Sequence, residues 1–239
     1  MTVRPHTAMS LGLISCRMRR GLTWRGWLFS GLALAALGIA AARNVHPFLA
    51  VTDRMTADVL VVEGWVNDHA IRAASDEFHA RDYRRVCATG GPLQISNGGP
   101  VPLRTVADLG AYRLLLAGLP AHRVHGVAAE QVPRDRTYAS AVALRDWLRR
   151  HGEPPARLNI LTEDVHARRT RLLFQRAFGP GVAIGIIAVP NPAYEPRRWW
   201  RCSEGVRDVI GESISYLYAK FFFTAPPAPA AEPGLPPAS

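Results

Sequence analysis

Short apolar runs alternate with longer amphipathic stretches along most of the chain after residue 57. Five segments are predicted as strands, and the first and last of them are apolar runs of the kind expected for parallel strands buried on both faces. The five segments cover residues 58–62, 84–89, 123–127, 158–161 and 182–189. The stretches between them have helical spacing and predict helices over 68–81 and 105–117, two that open within 134–141 and 162–169, and a closing helix over 206–223. This alternation predicts an α/β, Rossmann-like domain over 58–223, with a parallel sheet of about five strands and helices on both faces.

A different pattern precedes the domain. Residues 26–42 carry no charge and are mostly Leu, Ala, Gly, Trp and Phe. We predict a transmembrane anchor over residues 24–43, with Arg25 snorkelling towards water. A basic cytoplasmic segment over 1–23 precedes it, and a linker over 44–57 follows it. Because arginines cluster before the span, the positive-inside rule predicts a single-pass protein of the inner membrane with its main domain on the periplasmic side.

Two other interpretations of this segment stay open. It is also compatible with a signal peptide cleaved near the small residues 40–42. The third possibility is a buried core helix. The lack of an amphipathic face argues against it. At the other end of the chain, residues 224–239 are mostly Pro and Ala and are predicted to be disordered.

Charge and cysteine content narrow the function. The net charge is +10, but the first 50 residues hold six arginines and no acid, which leaves about +4 for the remainder. That excess is small and scattered, so we predict no nucleic-acid partner. The three cysteines show no metal-ligand spacing, and we predict no metal site and no cofactor. A bridge between Cys87 and Cys202 is left open.

Polar residues and glycines follow the predicted strands. In an open parallel sheet, ligands bind outside the carboxyl ends of the strands. The residues delivered to that edge are Glu63, Gly64, Thr89, Gly90, Gly91, Glu130, Thr162, Glu163 and His166. Each piece alone has a plainer explanation, since a glycine pair is often only a turn. Their convergence on one edge predicts a ligand site.

Two helix starts at this edge carry cations. His166 and Arg169 are three residues apart, so they share a helix face near an N-terminus, where anions are favoured. Arg134, Arg136 and Thr137 open another helix. We predict that these five residues and Thr162 hold an anionic ligand bearing phosphate or carboxylate, in a site lined by the glycines, Thr89 and Glu130. A simpler explanation exists for each feature: the arginines are solvated surface residues, and Asp135 or Thr137 only caps its helix.

Catalysis stays an open question at this stage. His166 is the best proton carrier because its ordinary pKa lies near neutrality. Glu63 and Glu163 are candidate general bases, or partners of the arginines when the site is empty. No base can be assigned to Ser140 or Thr162, so we predict no nucleophile. Whether the protein is an enzyme is therefore not decided.

Several of these segments resemble the YdcF, SanA and ElyC family of envelope proteins over about residues 58–222. The resemblance is carried by residues 89–91, 118–120, Glu130, Thr137 with Ala141, and Thr162 with His166 and Arg169. It implies a Rossmann-like domain with a role in cell-envelope or cell-wall metabolism, near lipid-carrier intermediates. The chain departs from the family at Glu63-Gly64-Trp65-Val66, where a glycine-rich turn is usual. It also has Arg136 and Ser140 where Asn is usual, and Thr105-Val106 with Asp108 nearby in place of an acid.

Three function classes follow from these observations. The first is an exported enzyme or binding protein for a small anionic or lipid-linked envelope ligand, attached to the membrane by its N-terminal helix. The second is a non-catalytic envelope assembly or sensing factor. The third is a nucleotide or S-adenosylmethionine binder, which rests on fold analogy and is weakened by an exported location.

Overall fold

The fold is a five-stranded, all-parallel sheet with helices on both faces. The structure, a computed structural model, describes residues 23–93, 103–152 and 155–225. The strands are β1 (Val59–Glu63), β2 (Arg85–Gly90), β3 (Val124–Ala128), β4 (Arg157–Glu163) and β5 (Ala183–Val189). The helices are α1 (Trp24–Leu49), α2 (Asp68–His79), α3 (Val106–Leu116), α4 (Arg136–Arg150), α5 (Ala167–Phe178) and α6 (Ser203–Phe221). The strand order is β3-β2-β1-β4-β5, which confirms the predicted α/β class.

Alternate residues of each strand face two separate cores. Leu60 and Val62 of β1 pack with α2 and α3 on one side of the sheet. Val59 and Val61 pack with α4 and α5 on the other side. Both faces of β1 are thus covered, which is why this strand is a continuous apolar run in the sequence.

Short 3-10 turns connect several of these elements. One at Asp164–His166 joins β4 directly to α5, and another at Pro196–Arg201 precedes α6. The N-terminus of α3 is closed by a capping box, in which Thr105 and Asp108 each bond the other's main chain. This cap fixes where α3 begins, at the carboxyl edge of the sheet.

The N-terminal helix α1 is long and apolar. An 18-residue window within it has a mean hydropathy of 1.5, so its length and composition suffice to cross a membrane. Contacts divide the chain into one unit that ends at Ala41 and a second that starts at Ala42. In the first unit, large side chains such as Trp27 and Leu34 are about two-thirds exposed, at 68 % each. This arrangement is consistent with membrane anchoring.

The predicted linker over 44–57 is instead part of the folded domain. Helix α1 continues to Leu49, which is 1 % exposed and packs with Val165 and Val209. Further on, Asp53 forms an antiparallel bridge with Ile186 of β5. The prediction was wrong because residues 44–57 show neither strand nor helix periodicity in the sequence. Their burial depends instead on contacts with partners more than 100 residues away in the chain. Residues 1–22 of the predicted cytoplasmic segment and 226–239 of the predicted tail lie outside the described residues.

Candidate functional site

The chain changes direction in the sheet between β1 and β4. After β1 it builds β2 and β3 on one side, and it then crosses to build β4 and β5 on the other. The carboxyl ends of β1 and β4 therefore flank the switch point, where open α/β sheets bind their ligands. Glu63 ends β1 and Glu163 ends β4.

Both glutamates are buried and hydrogen-bonded. Glu63 accepts hydrogen bonds from the hydroxyls of Thr162, at 2.5 Å, and Thr170, at 3.1 Å. Glu163 accepts from the Asn67 side-chain amide at 2.9 Å, and His69 Nε2 lies 3.6 Å from it. These contacts tie the two strand ends to the starts of α2 and α5. The two candidate general bases are thus already engaged within the protein.

His166 and Arg169 lie together, as their spacing predicts, and share one carboxylate. Arg169 Nε and Nη2 donate to the two oxygens of Glu212 on α6, at 2.7 and 2.8 Å. His166 Nδ1 lies 2.9 Å from the same carboxylate. Arg169 Nη1 also donates to Thr137 Oγ1 at 3.3 Å, which brings the start of α4 to the cluster. We call His166, Arg169 and Glu212 the triad; the Trp65 ring lies edge-on against His166, with ring centroids 4.7 Å apart.

The triad is an internal ion cluster. Burial raises the pKa of Glu212, but hydrogen bonds and charge from His166 and Arg169 outweigh that effect and lower its pKa to about 2. Burial lowers the pKa of His166, whereas the hydrogen bond and charge of Glu212 and the charge of Glu63 raise it further, so the net direction is upward. Both effects favour a charged carboxylate facing two cations.

Sequence reasoning missed Glu212. It lies 43 residues beyond Arg169 on a helix that had been taken only as a closing element. A signal was present, because Val209, Glu212, Tyr216 and Ala219 follow the spacing of one helix face and three of the four are apolar or aromatic. A carboxylate on the inward face of a helix needs a cationic partner.

The predicted glycines serve helix packing. A Cβ on Gly64 would lie 2.2 Å from the Val106 carbonyl oxygen, and one on Gly90 would lie 2.6 Å from Val106 Cβ. The N-terminus of α3 therefore occupies the space that these two glycines were expected to leave for a ligand. Gly91 differs, since the atoms nearest to its Cβ position are 3.9 Å away or more. The close packing of α3 accounts for glycine at both positions, and ligand approach at Gly64 and Gly90 stays a prediction.

Other predicted residues lie apart from the triad. Arg134 is 85 % exposed at its side chain and approaches Asp135 no closer than 4.0 Å. Arg136 and Glu130 are also exposed, and within the described ranges neither contacts His166 or Arg169. Thr89 is buried, and its Oγ1 has no hydrogen-bond partner among the described residues. Of the predicted cationic and threonine ligands, hydrogen bonds join His166, Arg169 and Thr137, whereas Thr162 bonds Glu63 and the arginines at 134 and 136 are exposed.

A second buried carboxylate adjoins the triad. Asp164 has a φ of 44°, in the left-handed region, and its Oδ2 accepts a 2.6 Å hydrogen bond from the Tyr194 hydroxyl. His46 Nε2 lies 3.1 Å from the same carboxylate. Burial and the hydrogen bond to Asp164 raise the pKa of Tyr194. These three buried groups attach the end of α1 to the turn that leads into α5.

Two depressions lie elsewhere on the domain. One of about 380 Å³ is lined by Asp82, Tyr83, Arg84 and Arg123, and another of about 250 Å³ lies between the starts of β1, β2 and β4. Both are at the amino edge of the sheet. At the carboxyl edge, Glu212 fills the position in front of His166 and Arg169. Within the described residues no three His, Cys, Asp or Glu side chains are grouped to hold a metal ion, and Cys87 and Cys202 are both free.

No protein-family model, no curated protein and no solved structure matches this chain. The resemblance to the YdcF, SanA and ElyC family therefore stays a prediction that rests on the motifs given above.

Proposed function

We propose that this protein is membrane-anchored and binds an anionic ligand, bearing phosphate or carboxylate, at the His166–Arg169 pair on the carboxyl edge of its sheet. The resemblance to envelope proteins suggests a role in cell-envelope or lipid-carrier metabolism. The observation that carries the proposal is Glu212, because its carboxylate is held by the forked, two-point contact that arginine makes with carboxylate and phosphate groups.

Glu212 acts in this proposal as an internal stand-in for the ligand. Its two oxygens meet Arg169 and one of them also meets His166, so an incoming anion competes for the same donors. The helix start at Ala167 adds main-chain N–H groups with partial positive charge. Binding requires the Glu212 carboxylate to leave, which a small displacement of α6 achieves.

The contacts at Glu63 and Glu163 favour a binding role over catalysis. Each carboxylate is buried and already accepts hydrogen bonds: Asn67 bonds both oxygens of Glu163, and the hydroxyls of Thr162 and Thr170 both bond Oε2 of Glu63. A non-catalytic assembly or sensing factor is therefore the second candidate. Packing of α3 against Gly64 and Gly90 counts against a nucleotide binder, because a pyrophosphate needs that main-chain space.

The test uses the full chain in mild detergent with inorganic phosphate as the probe, followed by ³¹P NMR line broadening. Arg169→Gln should lose binding, whereas Glu212→Gln should tighten it about tenfold or more, since a competing charge-assisted contact is removed. Arg149→Gln, an exposed arginine on α4, is the matched control and should bind like the parent. Equal binding by the parent, Arg169→Gln and Glu212→Gln proteins would refute the proposal.

A further inference from the structure

An exposed tryptophan lies beside the triad. Trp65 follows β1 directly after Gly64, and 43 % of it is exposed to solvent. Its ring contacts the His166 ring edge-on, with 4.7 Å between the ring centroids. An anion that is held by His166 and Arg169 therefore lies next to an exposed aromatic surface.

The main chain on both sides of Trp65 is fixed. The Gly64 N–H donates to the Thr89 carbonyl at 2.8 Å, and Gly64 itself packs against the start of α3. Val66 is fully buried, and its carbonyl accepts a 2.6 Å hydrogen bond from Arg113 Nη1. Because both neighbours are held, the tryptophan stays at the surface as a rigid ring. A rigid aromatic ring offers a large contact area to a ligand at a small cost in conformational entropy.

Two oxygen acceptors follow Trp65, at the start of α2. Asn67 Nδ2 donates to both oxygens of Glu163, at 2.9 and 3.1 Å, so its amide is fixed with Oδ1 as the remaining acceptor. Asp68 receives two hydrogen bonds from Arg113, both at Oδ1, which leaves Oδ2. Within the part of the chain that the structure describes, neither Asn67 Oδ1 nor Asp68 Oδ2 has a donor, and both residues are exposed.

This combination of groups selects among organic phosphates. A single exposed aromatic residue is ordinary, but this one lies between a cationic pair and two fixed oxygen acceptors. The C–H groups on one face of a sugar ring pack well against a flat tryptophan, while its hydroxyls donate to carbonyl and carboxylate oxygens. An acyl chain would cover the same oxygens and supply no donor, which costs free energy.

We propose that the ligand of this site is a phosphorylated sugar. Its phosphate binds at the His166–Arg169 pair and its ring packs against Trp65. Its hydroxyls donate to Asn67 Oδ1 and Asp68 Oδ2. The inference rests on the proposed function, because it names the class of anion that the same site binds. Trp65 is then the residue that distinguishes a sugar phosphate from inorganic phosphate.

The experiment compares probes by ³¹P NMR titration of the full chain in mild detergent. The probes are inorganic phosphate, glucose 1-phosphate, glucose 6-phosphate, butyl phosphate and uridine 5′-monophosphate. The parent protein should bind at least one glucose phosphate about tenfold more tightly than inorganic phosphate. Trp65→Ala should lose this gain and still bind inorganic phosphate like the parent, whereas Trp65→Phe should keep part of it.

The matched control is Trp200→Ala. Trp200 is 41 % exposed, close to the exposure of Trp65, but its ring lies edge-on against Trp199, 5.8 Å between centroids. This variant should bind every probe like the parent. A gain that survives in Trp65→Ala, or that Trp200→Ala loses to the same extent, overturns the inference.

The remaining outcomes separate the ligand classes. Glucose phosphates that bind no more tightly than inorganic phosphate overturn the inference. An equal gain with butyl phosphate also overturns it and assigns Trp65 to an apolar chain, and tighter binding of uridine monophosphate assigns the ring to a base. If the parent binds none of the probes, the proposed function itself fails. If inorganic phosphate binds and Arg169→Gln loses it, the anion site stands whatever the sugar probes show.

Discussion

Replacing Glu212 by Gln isolates the charge of the triad. The substitution keeps the shape of the side chain and its capacity to accept a hydrogen bond, but it removes the carboxylate shared by Arg169 and His166. Both partners have side chains less than about a third exposed, at 20 % and 26 %. The variant therefore leaves two partly buried basic groups without the carboxylate that they share.

The magnitude follows from the pKa of Glu212. Lowering that pKa from 4.5 to about 2 corresponds to about 3 kcal/mol of free energy of unfolding. Loss of one partner of a buried ion pair typically costs about 3–5 kcal/mol, which agrees. For a domain of this size the melting temperature should fall by about 6–12 °C.

The pH dependence has a definite sign. The folded-state pKa of Glu212 is depressed, so its contribution is present above 4.5 and is lost as the pH falls towards 2. The folded-state pKa of His166 is raised, so its contribution is present below 6.5 and is lost as the pH rises through the raised value. The difference between parent and Glu212→Gln protein should thus be largest between about pH 4.5 and 6.5.

Urea unfolding of the full chain in mild detergent measures this difference, and NMR follows the His166 ring. In the variant the pKa of His166 should drop, because burial and Arg169 then act without Glu212. Glu204→Gln, in the exposed first turn of α6, is the control and should change little. A loss below about 1 kcal/mol for Glu212→Gln, with no pH dependence, would refute the reasoning.

Three further predictions concern packing and anchoring. Gly64→Ala should destabilise the domain by about 1–3 kcal/mol because its Cβ meets the α3 main chain, whereas Gly91→Ala should be tolerated; thermal unfolding of the pair checks this. Leu49→Ala should cost about 2–5 kcal/mol in a urea titration, and a negligible change would mean that this part of α1 is not docked. Tyr194→Phe should cost about 1–3 kcal/mol by leaving Asp164 short of a donor, and an unchanged melting temperature would contradict that contact.

The alternation of apolar runs and helical stretches was enough to predict the class and the parallel sheet. The residues at which strands end were harder to predict, as β4 shows. Its apolar run stops at Leu161, but the strand continues through Thr162 and Glu163, whose polar side chains are buried against Glu63 and Asn67. A buried polar residue with a distant partner looks like the start of a loop when only the sequence is read.

The candidate site shows the same limit. The spacing of His166 and Arg169 predicted their proximity, because it depends only on helix geometry. Which side chain at the start of α4 faces the site could not be predicted in this way. Adjacent helix residues point about 100° apart, and tertiary packing decides which of them faces inward. Thr137 faces Arg169, whereas Arg136 faces solvent. Glu212 depends on where α6 crosses the domain, which no local pattern encodes.

The bridge between Asp53 and Ile186 has a consequence for solubility. Main-chain groups of Ile186 bond Asp53 in both directions, and Ala188 N–H donates to Thr52, so the segment before β1 shields the open side of β5. An unshielded border strand recruits strands from neighbouring molecules and seeds aggregates. This short segment therefore covers one edge strand of the sheet. Removing residues 50–56 should expose β5 and lead to intermolecular β-structure.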